Sequence, residues 1–211
     1  MENDTPNKIK ISKEIIATLP IETFPGKIVV IDNERDADNA VLQLNNERII
    51  GFDTETRPTF KKGKSNHVAL IQLSTHDTCY LFRINRIGFT SAIKNLLENE
   101  SLLKVGISLK DDFCMLSRLN GGQFIPRNFI ELQKFVKKYN IEDQSLQKIY
   151  GIVIGKKISK GQRLSNWEAD HLTENQQLYA ATDAWSCIKI YEVLKSGKFK
   201  SPIYKIQPSS L

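Results

Sequence analysis

At 211 residues, 40% hydrophobic and 26% charged, the chain has the length and composition of one globular domain, which excludes the disordered, collagenous and fibrous classes. Thirty Lys plus Arg against 24 Asp plus Glu leave a net charge of +6, a modest excess that favours polyanions but also occurs in proteins that bind none. No run approaches the roughly 18 apolar residues of a membrane span, and the opening residues Met1 to Glu14 contain no apolar signal-peptide core, so a soluble cytoplasmic protein is expected.

Residues 1–27 read as an N-terminal appendage, free to pack against the body, with a short helical pattern in Ile11, Ile15, Ile16 and Leu19 that stops before Pro20. The body is expected over residues 28–197. It opens with a strand, Ile28 to Ile31, a helix through Ala37, Ala40, Val41 and Leu44, and a second strand, Arg48 to Thr54. Val68 to Ser74 and Cys79 to Arg83 form a hairpin across the polar turn Thr75-His76-Asp77. A helix over Thr90 to Asn99 and a strand over Leu102 to Ile107 follow, and the chain from Leu109 to Leu194 reads as mostly helical. Residues 198–211 read as a C-terminal tail. Strands early and helices around them make an α/β fold, a mixed β-sheet flanked by α-helices. Cys79, Cys114 and Cys187 are odd in number and widely spaced, so small core residues are expected rather than disulfides or a zinc site.

Three acidic features stand out. In Ile49-Ile50-Gly51-Phe52-Asp53-Thr54-Glu55 the period of two puts Asp53 and Glu55 on one face near a strand end, where they either share a hard cation or are simply solvated. After the strand Leu102 to Ile107, Ser108 is placed to cap a helix. There Asp111 sits in the first turn, explained by the cap and the helix dipole, while Asp112 shares the inward face of Leu109, Phe113 and Leu116. Finally, Thr173 and Gln176 make a capping-box pattern that starts a helix apolar nearly all round, carrying Tyr179 and Asp183 one turn apart. A buried Asp183 calls for a metal ion, or for a backbone amide or a distant basic residue.

The order of these motifs resembles the DEDDy branch of 3′-5′ exonucleases, the superfamily of Werner-type helicase exonuclease domains and ribonuclease D. The resemblance rests on Phe52-Asp53-Thr54-Glu55, Val68-Ala69-Leu70-Ile71-Gln72-Leu73, Lys104-Val105-Gly106 with Asp112 six residues beyond the glycine, and Ser165-Asn166-Trp167 through Tyr179 to Ala184. It covers roughly Ile28 to Leu194. It implies a ribonuclease H-like fold and a site of two divalent ions, Mg²⁺ or Mn²⁺, held by Asp53, Glu55, Asp112 and Asp183. In this site Asp53 bridges both ions, and Tyr179 orients the attacking water; its ordinary pKa near 10 makes it a positioner rather than a base. The implied substrate is the 3′ end of nucleic acid, DNA favoured over RNA, with nucleoside 5′-monophosphates released. Because no helicase domain or helical repeat follows Leu194, targeting is expected from this domain or a partner. The alternative is a non-catalytic nucleic-acid-binding module of the same fold.

Beside the first motif, Arg57, Lys61, Lys62 and Lys64 are candidate phosphate contacts, each equally readable as part of a solvated face. A second basic stretch, Lys156, Lys157, Lys160 and Arg163, could line the same entrance, and Trp167 either stacks on a base or packs in the core.

Overall fold

The computed structural model describes residues 8–59 and 67–200. Its elements in chain order are α1 (Lys13–Thr18), β1 (Lys27–Ile31), α2 (Glu34–Leu44), β2 (Ile49–Thr56), β3 (Val68–Ser74), β4 (Thr78–Phe82), α3 (Ile84–Ile87), α4 (Ser91–Glu98), β5 (Leu103–Gly106), α5 (Leu109–Leu119), β6 (Phe129–Glu131), α6 (Leu132–Phe135), α7 (Leu146–Ile154) and α8 (Glu174–Lys195). Three of the longer helices start on side-chain caps: Asn33 accepts from the Asp36 N–H before α2, Thr90 from Ile93 before α4, and Thr173 with Gln176 forms a reciprocal capping box before α8.

The six strands make one mixed sheet in the order β1-β4-β3-β2-β5-β6. β3 runs antiparallel to β2 and β4, and the other pairs are parallel. β3 is buried along its whole length, as a central strand covered on both faces must be. On one face, Ala37, Val41 and Leu44 of α2 with Ile93 and Leu97 of α4 pack over Ile50, Phe52, Ile71 and Leu73. On the other, α7 and α8 pack over Leu70, Leu81 and Val105.

Gly51 sets how closely α8 approaches. A Cβ there would lie 1.9 Å from the carbonyl oxygen of Ala184, so only a glycine lets the helix backbone rest on β2. That contact brings the middle of α8 against the strand carrying Asp53 and Glu55.

The segment before β1, read as an appendage free to pack against the body, is stitched into it: Ile9, Ile11, Ile16 and Phe24 join the core, and the Phe24 N–H donates to Thr182 Oγ1 at 3.0 Å. Glu22 there accepts from Lys156 and Lys189 at 2.7 and 2.9 Å; burial pushes its carboxyl up, but these cations and the Tyr150 hydroxyl hold it at about 2. Several local expectations differ from the structure. Ser108 does not cap α5. It adopts the left-handed conformation at φ 60°, and the N–H groups of Ser108 and Leu109 instead donate to the Glu131 carboxylate at 3.1 and 2.8 Å. Glu131 ends β6, a strand of three residues inside the stretch read as helical. Cys114 is exposed, whereas Cys79 and Cys187 are core residues as expected.

Candidate active site

β2 alternates its side chains, so Asp53 and Glu55 leave the sheet on the face of Gly51, the face that α8 covers. From α8 comes Asp183. Carboxylate oxygens of Asp53, Glu55 and Asp183 all lie within 4.8 Å of one another. Glu55 and Asp183 are 9% and 8% exposed, and Asp53 is half-buried. Asp112 stands at the margin of this trio: the Thr54 hydroxyl, on the residue between the two strand acids, donates to Asp112 Oδ1. Asp112 is half-buried while Asp111 is exposed, the orientation expected from helix phase.

The electrostatics follow from this crowding. Burial, then the charges of Glu55, Asp183 and Asp112, hold the Asp53 carboxyl well above the usual carboxylate range. Glu55 is raised by burial and by Asp183 and Asp112, with Arg163 pulling the other way. Asp183 is pushed up to about 7 by burial against the opposing pull of Tyr179 and Lys160. Asp112 is pushed up to about 6, by burial more than the Thr54 hydrogen bond lowers it. Buried carboxylates in mutual repulsion are unfavourable together as anions unless a cation compensates them. An all-oxygen donor set of this kind fits a hard divalent ion such as Mg²⁺ or Mn²⁺.

Tyr179, one turn before Asp183 on α8, is 8% exposed. Its phenol is raised above its ordinary range by burial and by the neighbouring Asp183 and Glu55 charges, so it stays protonated. Trp167 packs against it, ring centroids 6.0 Å apart and planes inclined by 36°. Trp167 is itself wholly buried, which corrects the base-stacking expectation: the ring has no free face for a nucleobase and serves instead as a wall behind Tyr179.

The basic residues divide. Arg57 reaches Glu168 at 3.4 Å, across to the loop that bears Trp167. Lys61, Lys62 and Lys64 lie outside the described residues. In the second basic stretch, Lys156 is paired with Glu22 and Lys157 donates to the Ala17 carbonyl, so both serve the N-terminal segment. Lys160 and Arg163 are exposed, and their charges lower the carboxyls of Asp183 and Glu55 respectively. Thr54 and Glu131 were not singled out by sequence reasoning. The only signal for Thr54 was its place inside the D-x-E motif, and for Glu131 there was none, because its partners lie 22 and 23 residues earlier in the chain.

Among known proteins, the family model described as 3′-5′ exonuclease matches residues 28–197. The mouse bifunctional 3′-5′ exonuclease/ATP-dependent helicase WRN is 34% identical over 208 residues, covering 90% of this chain and 14% of that protein. The chain therefore spans about one seventh of that relative's length. Among solved structures, the Aedes aegypti Nibbler EXO domain aligns at a TM-score of 0.74 with 23% identity, covering 83% of this chain and 91% of that one. Escherichia coli RNase D, an exoribonuclease involved in structured RNA processing, aligns at 0.72 with 21% identity, covering 82% of this chain and 45% of that one. These likenesses establish the ribonuclease H-like exonuclease fold for the six-stranded sheet and its helices. Matched over most of its length by the family model, the chain belongs to the 3′-5′ exonuclease family.

Proposed function

We propose that the protein is a DEDDy-type exonuclease that hydrolyses DNA, in preference to RNA, from the 3′ end and releases nucleoside 5′-monophosphates with the help of two divalent ions. The observation that carries this reading is the trio Asp53, Glu55 and Asp183, three carboxylates within 4.8 Å with Tyr179 one turn away on the same helix as Asp183. Those three and Asp112 would hold the ions. When bound, divalent ions make water a stronger nucleophile at neutral pH and balance the charge that develops on the departing 3′ oxygen.

The chain's own groups do the rest. Tyr179 is held protonated with its hydroxyl donated toward Asp183, so it positions the water through the hydroxyl oxygen rather than deprotonating it. Thr54 fixes Asp112 by its hydroxyl. Lys160 and Arg163 supply positive charge beside the acids, where the scissile phosphate must come, and Arg57 with Lys61, Lys62 and Lys64 would follow the backbone of the strand.

DNA is placed first on the resemblance of the motifs to the Werner-type helicase exonuclease domain, a kinship in keeping with the 34% identity to the mouse WRN protein. The fold likeness to an exoribonuclease keeps RNA as the other outcome. The test is a 5′-labelled oligonucleotide in matched deoxy and ribo forms, single-stranded and with a recessed 3′ end, incubated with Mg²⁺ or Mn²⁺ and then with chelator. A ladder shortening from the 3′ end, faster on the deoxy strand and abolished by chelator, is expected. Binding without metal-dependent shortening would favour the non-catalytic module instead.

A further inference from the structure

Within the buried central strand β3, Gln72 is 0% exposed, and neither its Oε1 nor its Nε2 has a hydrogen-bond partner among the described residues. A carboxamide removed from water with its donors and acceptor all unpaired is unfavourable and rare in native cores. A leucine or methionine would fill the same space without that penalty. Stability therefore does not explain the residue.

The sheet register shows what it lies beside. Gln72 is directly opposite Asp53 in the antiparallel β2–β3 ladder, so the two side chains leave the sheet on the same face, with Cβ atoms about 5 Å apart. That is the face closed by α8, which rests on Gly51 two residues before Asp53. Opposite Gln72 on its other side, β4 presents Leu81, which is apolar. Asp53 is thus the polar side chain that the register sets directly across from this amide. A glutamine there offers N–H donors without adding a further negative charge to a crowded acidic site.

We propose that Gln72 is a positioning residue for the metal centre: its amide N–H donates to the Asp53 carboxylate when the divalent ions are bound, fixing which oxygen lone pairs face them. The inference rests on the metal-dependent reading above. Carboxylate ligands are commonly held in this way by a neighbouring donor, and loss of such a partner typically weakens metal binding by about 10- to 100-fold.

The test is calorimetric titration of Mn²⁺ into the full chain and its Gln72→Met and Gln72→Leu variants, with thermal midpoints of the metal-free proteins measured alongside. Expected are at least about tenfold weaker Mn²⁺ binding, a metal-free midpoint equal to or above the parent's, and a lower kcat at unchanged oligonucleotide KM. Mn²⁺ affinity within twofold of the parent in either folded variant would overturn the proposal, as would a marked fall of both metal-free midpoints with affinity retained, which would mark a purely structural amide. Asp53→Ala separates the two levels of the argument. If it loses Mn²⁺ while Gln72→Met keeps it, only the role of Gln72 fails; if the parent binds no Mn²⁺, or Asp53→Ala binds it equally well, the metal reading fails with it.

Discussion

Replacing Gly51 with alanine perturbs the site without touching any of its acids. The added Cβ would stand 1.9 Å from the Ala184 carbonyl oxygen and 2.7 Å from its carbon, where real Cβ atoms keep at least 3.0 Å. Both obstacles are backbone, so no rotamer change relieves them, and α8 must retreat from β2 by more than about 1 Å. Asp183 sits on the turn of helix that begins this contact, and it would move away from Asp53 and Glu55. Overpacking of this kind costs about 1–3 kcal/mol, a fall of roughly 2–12 °C in thermal midpoint for a domain of this size. A displacement of about 1 Å at a reacting centre can cost about 100-fold in rate. Single-turnover cleavage at saturating metal and substrate, run below the variant's midpoint, separates the two effects. A folded Gly51→Ala protein that cleaves within threefold of the parent would refute the claim that this glycine sets the position of Asp183.

Asp53→Ala should remove nearly all cleavage while the metal-free midpoint holds or rises, because burial and three neighbouring charges already disfavour this carboxylate; a stopped assay and a melting curve check both. Tyr179→Phe keeps the ring packing on Trp167 but loses the hydroxyl, and should slow the chemical step by about 10- to 1000-fold with substrate binding nearly unchanged. Asp112→Asn should lower the single-turnover rate at least about tenfold, whereas exposed Asp111→Asn should change activity little and stability by at most about 1 kcal/mol. The pH dependence of stability should have an unusual sign. Asp112 and Asp183 are raised in the folded state to about 6 and about 7, so their contribution is full below their unfolded values near 4 and is lost as pH rises through the folded ones. Under chelator, melting midpoints should fall from about pH 4 to about pH 7, and Mn²⁺ at 100 times its Kd should restore about 2.7 kcal/mol.

The parts of the site that were legible in the sequence were those fixed by local periodicity. Asp53 and Glu55 share a face because a strand has period two, and Asp183 is buried because its helix is apolar nearly all round; the cap of that helix was equally readable in Thr173 and Gln176. What was hidden depends on contacts remote in sequence. Ser108 looked like a cap, yet its side chain accepts from no N–H of the helix, and the N–H groups of Ser108 and Leu109 are taken by the Glu131 carboxylate from a neighbouring strand too short to show a pattern. Trp167 could be placed only once the loop bearing it was seen packed behind Tyr179. How the N-terminal residues pack was open in the sequence because their apolar positions are few; Ile9, Ile11, Ile16 and Phe24 find their partners across the fold, as in the bridge from Ile9 to Ile141.

Anomalous diffraction from crystals soaked in Mn²⁺ tests the central claim most directly. The account predicts manganese peaks in contact with the carboxylates of Asp53, Glu55 and Asp183, with a further peak on the side of Asp112, all lost in Asp53→Ala. Crystals saturated with Mn²⁺ that show no peak among these acids, while the protein still degrades oligonucleotides, would contradict it.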